Sequence, residues 1–111
     1  IEFCQGTFSE MDEDIYEMIE YFASRNKILY VHFRNVSAPT PDKFHEEFIN
    51  TGYVDMVKAM KVYKDAGYEG CFMDDHCPDI YNDQEFPGNL GGYRSRIFAQ
   101  GYIQGLLDSL A

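Results

Sequence analysis

The sequence predicts an α/β fold with a parallel sheet, and three observations lead to it. Strand-length apolar runs alternate with amphipathic helical patterns along the 111 residues, and no hairpin signal separates any two of those runs. The second run, Ile28 to Phe33, is apolar on both faces, as a strand covered on both sides would be. The order reads strand, helix, strand, helix, strand, helix.

Ile1-Glu2-Phe3-Cys4 reads as a strand already under way. Ile1 is not an initiator, so the sequence is expected to begin inside a larger protein. Ser9 or Asp12 can cap a helix whose apolar residues Ile15, Met18, Ile19, Phe22 and Ala23 recur at helical spacing, with the acidic residues from Glu10 to Glu20 on its solvated face. Asn26 and Lys27 break the pattern before the Ile28 to Phe33 strand. A long polar connection, Arg34 to Gly52, carries Pro39 and Pro41, and connections of that length usually serve a site. Val54 to Ala66 reads as the second helix, with Gly67 suited to its C-terminal cap, and Gly70 to Asp74 as the third strand. A second irregular stretch, His76 to Gly92, leads into a last helix from about Tyr93 to Leu110. There Gly101 and Gly105 lie one turn apart, which would permit close approach of backbone to a sheet.

A doubly wound open sheet and a (β/α)8 barrel both satisfy this order. The loops after the strands are long and the returns at Asn26 and Gly67 are short, an asymmetry that in barrels separates the active-site face from the stabilising face. The barrel is therefore the expectation. Three strands cannot close one, so about five further βα units would lie elsewhere.

Hydrophobic content of 45% with 16% aromatics is enough for a buried core. A formal net charge of -10, with only nine scattered Lys and Arg, argues against a nucleic-acid surface or an anionic-membrane surface. No stretch approaches the roughly 20 apolar residues of a membrane helix, and nothing at the start reads as a secretion signal. A soluble, cytoplasmic protein is expected. Cys4, Cys71 and Cys77 make an odd number in a chain long enough to fold without staples, so reduced thiols are expected rather than a disulfide framework.

Three short runs place a metal-binding side chain where an apolar run ends and a loop begins: Phe3-Cys4-Gln5-Gly6, Val31-His32-Phe33-Arg34-Asn35 and Met73-Asp74-Asp75-His76. Thiolate, imidazole and carboxylate are accepted together by a borderline divalent cation. Cys4 alone reads more simply as a small packed hydrophobe, and a hydrogen-bonded core histidine explains His32 equally well. On a regular strand only one of two adjacent carboxylates faces the site, and Asp75 shares the parity of Met73 and Cys71. His76 opens the loop, where it could act as a general acid or base.

Arg34 could grip a carboxylate in a bidentate pair or lie at the surface. His45 and Glu46 sit in the long loop and could contact a ligand, while Tyr93 at the start of the last helix could direct its hydroxyl into the cleft. Gly88-Asn89-Leu90-Gly91-Gly92 lacks the spacing of a phosphate cradle, and no zinc-finger spacing is present.

Taken together, Phe3-Cys4-Gln5-Gly6-Thr7, Val31-His32-Phe33-Arg34-Asn35-Val36, Phe44-His45-Glu46 followed by Gly52-Tyr53-Val54-Asp55-Met56, Asp75-His76 and Gly92-Tyr93 resemble the C-terminal portion of the mannonate dehydratase family. These are sugar-acid lyases with a xylose-isomerase-like TIM barrel. The resemblance implies that residues 1–111 are the C-terminal three βα units of a single TIM-barrel catalytic domain. It further implies Cys4, His32 and Asp75 as ligands of a divalent metal, Mn2+ first with Fe2+ or Co2+ as alternatives. His76 and Tyr93 match the family's proton-exchanging pair, while Arg34 and His45 are expected substrate contacts from their positions in the sequence alone.

The implied reaction is dehydration of D-mannonate to 2-keto-3-deoxy-D-gluconate in hexuronate catabolism. A metal-dependent sugar isomerase or epimerase on the same barrel, or a non-catalytic barrel fragment, is the alternative. The implied partners are a small-molecule sugar acid and further copies of the full-length protein. Another histidine ligand of the family has no counterpart here. The chain also departs from the family pattern at Phe48 or Ile49, where a second histidine is common, and at Cys77-Pro78, where glycine commonly follows Asp-His.

Overall fold

In the computed structural model, which describes residues 1–81, 83 and 92–111, a three-stranded parallel sheet in the order β1-β2-β3 forms the spine. The strands are β1 (Glu2–Cys4), β2 (Tyr30–His32) and β3 (Cys71–Met73), and the helices are α1 (Gln5–Ser9), α2 (Ile15–Ala23), α3 (Met56–Asp65) and α4 (Tyr93–Ser109). In-register pairs join Cys4 to His32 and His32 to Met73 across the tips of the strands.

The pleat sorts the side chains. Phe3 and Val31 are fully buried and Phe72 packs against the same core, because their shared parity points them at the helices. The opposite face carries Glu2, Cys4, Tyr30, His32, Cys71 and Met73, of which Glu2, Cys71 and Met73 are exposed. Among the described residues only the helix-side face is covered, and the other holds the polar side chains that make the site.

The core joins the sheet to α2, α3 and α4 through Ile15, Ile19, Met60, Tyr63, Ala99 and Ile103. Tyr63 stands at its centre, its ring 5.1 Å from Phe72 and 6.2 Å from Phe3. Burial pushes the Tyr63 hydroxyl well above the usual tyrosine range, and that hydroxyl donates to Gln5 Oε1 at 3.2 Å.

The start of α2 departs from expectation, and α1 was not expected at all. The cap of α2 is Asp14, which accepts from the backbone N–H of Tyr16 at 2.9 Å and of Glu17 at 3.2 Å; it is neither Ser9 nor Asp12. Ser9 is the last residue of α1, and Asp12 turns the chain in the left-handed region at φ 61°, so the helix cannot begin before both are passed. For α3, Asp55 caps by accepting from Lys58 N–H at 3.0 Å, and Gly67 follows its C-cap at φ +79°, a conformation that favours glycine. Gly101 and Gly105 do not touch the sheet. A Cβ at either would meet nothing within 4 Å, because α4 buries a different stripe, Ser95, Ala99, Ile103 and Leu106.

Candidate metal centre

Cys4 ends β1, His32 ends β2, and Asp75 lies two residues beyond Met73 at the end of β3. Parallel register sets the first two side by side, and unbroken parity delivers the third to the same face. Asp75 Oδ2 is 3.8 Å from Cys4 Sγ and 3.7 Å from His32 Nδ1, and one donor atom from each residue lies within 4.8 Å of the other two. A sulfur, a nitrogen and an oxygen converging this closely fit one divalent cation. Glu2 adds a carboxylate at the same ring nitrogen, its Oε1 3.1 Å from His32 Nδ1 and its Oε2 accepting from the Tyr30 hydroxyl at 2.6 Å.

The other cysteines are elsewhere. Cys71 is exposed on the sheet and Cys77 is buried, where burial pushes its thiol up to about 11, so it stays protonated at neutral pH.

Arg34 is the second organising group. Its side chain is only 6% exposed, and it donates from Nε to Glu46 Oε2 at 2.8 Å and from Nη2 to Glu46 Oε1 at 2.7 Å. Nη1 reaches Cys4 Sγ and Thr7 Oγ1, each at 3.4 Å, and lies 4.0 Å from Asp75 Oδ2. Burial alone would weaken its hold on the proton, but the hydrogen bonds to Glu46 and Cys4 outweigh burial and raise the pKa above the usual arginine value.

Glu10 completes this cluster at 3.5 Å from Nη2. Burial raises its pKa, with Arg34 opposing. Glu10 is therefore not on the solvated helix face where the sequence pattern put it. The short helix α1 turns it back toward Arg34.

The long loop is folded, not extended. Buried Asn35 donates from Nδ2 to the carbonyls of Ile49 at 3.1 Å and Val54 at 2.9 Å, and its Oδ1 accepts from the N–H groups of Val36 and Val54. Val36 and Glu46 form an isolated antiparallel bridge, which returns Glu46 across Arg34. Gly52 is required there, because a Cβ would come within 2.3 Å of Asn35 Oδ1 and 2.7 Å of the Val36 carbonyl.

His76 stands at the rim, Nδ1 3.4 Å from Glu46 Oε1 and Nε2 3.6 Å from Asp75 Oδ1. His45 is not drawn in. Its side chain is 73% exposed and pairs with Glu47 at 2.9 Å. Tyr93 begins α4, exposed, beyond the stretch 84–91, which with residue 82 lies outside the described residues. The glycines from Gly88 to Gly91 and Pro87 fall in that stretch.

The sequence profile of the family described as D-mannonate dehydratase (UxuA) matches residues 1–111. The chain belongs to the D-mannonate dehydratase family. Mannonate dehydratases of Brachyspira hyodysenteriae and Thermotoga maritima are each 33% identical to it over 113 residues, covering 99% of this chain and 31% of the relative. That of Enterococcus faecalis is 34% identical over 112 residues. The crystal structure of mannonate dehydratase from Streptococcus suis serotype 2 superposes with a TM-score of 0.83 at 31% identity, covering 96% of this chain and 31% of that one. The chain thus spans about 31% of the length of these family members, and its three parallel βα units match the corresponding part of a mannonate dehydratase.

Proposed function

We propose that this chain contributes the metal-binding and proton-transfer groups of an enzyme that dehydrates D-mannonate to 2-keto-3-deoxy-D-gluconate. The convergence of Cys4 Sγ, His32 and Asp75 within 4.8 Å carries the reading. The three strands form one arc of a (β/α)8 barrel, and the rest of the enzyme supplies the other units and a further histidine ligand. The proposed metal is Mn2+, and the proposed setting is a cytoplasmic homo-oligomer. Among the described residues no helix is long and apolar enough to cross a membrane.

The chemistry has two demands. A proton must leave the carbon beside a carboxylate, and a poor leaving group, hydroxide, must depart from the next carbon. Bound at the three donors, a divalent cation acts as a Lewis acid that stabilises negative charge developing next to the substrate carboxylate, an effect on the order of several kcal/mol.

This chain's residues supply the remainder. Arg34 sets a fixed positive charge beside the site. His76, at the rim, and Tyr93, at the start of α4, form the pair that takes one proton and gives another. Because hydroxide leaves as water only if protonated in the same step, both groups are needed.

The test uses the full-length protein that contains this chain. Incubation with D-mannonate should yield a product lighter by one water, and the purified protein should carry stoichiometric metal after dialysis. His32→Ala and Asp75→Ala should lose metal and turnover together. Tyr93→Phe should reduce turnover while keeping metal, and normal turnover in that variant would remove Tyr93 from the reaction.

A further inference from the structure

We infer that Glu46 is a positioning residue for His76, an inference that rests on the proton-transfer role proposed above. Glu46 is held more firmly than a loop carboxylate usually is. Both of its oxygens are engaged by the Arg34 fork, which fixes the plane of the carboxylate as well as its place. Arg34 is itself enclosed, with its side chain 6% exposed. Gly6 leaves only enough room for it, Thr7 and Glu10 meet its outer nitrogens, and Cys4 lies against Nη1.

The backbone contributes as well, through the Val36 bridge and the buried Asn35 amide. The immobilised oxygen Oε1, already accepting from Arg34 Nη2, is the one 3.4 Å from His76 Nδ1. The other ring nitrogen lies on the Asp75 side at 3.6 Å.

The His76 imidazole is 36% exposed at the start of a loop, and carboxylates of Glu46 and Asp75 face its two ring nitrogens. A proton-transfer group displaced by about an ångström loses much of its effect. Glu46 supplies a fixed constraint: it faces Nδ1 of His76, with Nε2 on the side of the Asp75 carboxylate. Arg34 is thereby the anchor of the carboxylate that orients the ring. Its fork is filled in this arrangement, so its contribution beside the substrate is charge rather than a bidentate grip.

Glu46→Gln and Glu46→Asp in the full-length enzyme test this. The first keeps the shape and removes the charge. The second keeps an anion for Arg34 and withdraws it from His76 by one methylene, so it preserves the fold even if the first does not. Both should retain stoichiometric metal and lower kcat roughly ten- to a hundredfold, with KM changed less than about threefold. Crystal structures should show the His76 ring turned from its wild-type position.

An unchanged kcat in Glu46→Asp, an unmoved His76 ring, or metal loss that accounts for the fall in turnover would overturn the inference. If the parent enzyme fails to dehydrate D-mannonate, the functional reading falls instead, and the ring position in the parent and in Glu46→Asp still decides what Glu46 does.

Discussion

Gly6 lacks a side chain because Arg34 occupies the space one would need. A Cβ there would sit 2.9 Å from Cγ, Cδ and Cζ of the arginine, and these are middle atoms of a side chain pinned at its end by Glu46, so they cannot swing aside cheaply. Gly6→Ala should therefore displace the guanidinium and cost about 1–3 kcal/mol, as overpacking of a close-packed site does. A thermal melt checks this, and a variant as stable as the parent would show that Arg34 yields without strain. The glycine was visible in the sequence as part of Phe3-Cys4-Gln5-Gly6-Thr7, but its reason was not, since the atoms that exclude a methyl belong to a residue 28 positions later. Glu46 is the same kind of case. The sequence placed it in a polar loop beside His45, and only the bridge to Val36 shows that the carboxylate turns inward while the imidazole turns out.

At the scale of elements, α4 starts on an unusual support. Its N-cap position is Gly92, which offers no side chain, and the carboxylate of Asp83 takes over. Asp83 Oδ1 accepts from Arg94 N–H at 2.9 Å and Oδ2 from Ser95 N–H and Ile80 N–H at 3.3 Å each. A Cβ on Gly92 would lie 1.9 Å from Asp83 Cγ, so the glycine and the distant cap depend on each other. Burial would raise the Asp83 pKa, but the N–H donors of Arg94, Ile80 and Ser95 prevail and hold it below the ordinary 3.8. A carboxyl group whose folded pKa is depressed contributes stability above its unfolded value and loses it as pH falls through the folded one. The protein should thus lose stability below pH 3.8 more steeply than Asp83→Asn, followed by unfolding midpoint against pH; parallel curves would deny Asp83 this role. Helices α2 and α3 were legible from their apolar periods, which bury Ile15, Ile19 and Ala23 in one and Met56, Met60 and Tyr63 in the other, although the sequence pattern puts the α2 cap at Ser9 or Asp12 rather than at Asp14. The cap of α4 was not, because it lies nine residues before Gly92. Helix α1 was missed for a related reason: five residues with a glycine have no helical period to read, and Gln5 is held by Tyr63 and Met56 from other elements.

For the whole molecule, the three-strand convergence means that binding of the proposed cation would be linked to folding. The alternation of strand and helix, the inward parity of Asp75 and the donor types at three strand tips could all be read from the residues in order. The distances could not, because they depend on the register that pairs Cys4 with His32 and His32 with Met73. Each donor belongs to a different strand, so an unfolded chain offers no such cluster, and a cation that binds the folded state alone stabilises it by RT ln(1 + [L]/Kd), about 2.7 kcal/mol at a hundredfold excess over Kd. The effect should be specific to the donors. In the full-length protein a chelator should lower the unfolding midpoint by several degrees, and adding back Mn2+ should restore it. His32→Ala should start at the lower midpoint and be indifferent to the chelator, because its site no longer closes. A chelator shift of the same size in His32→Ala would place the stabilising ion at other residues, and Cys4, His32 and Asp75 would then hold no metal that the fold depends on.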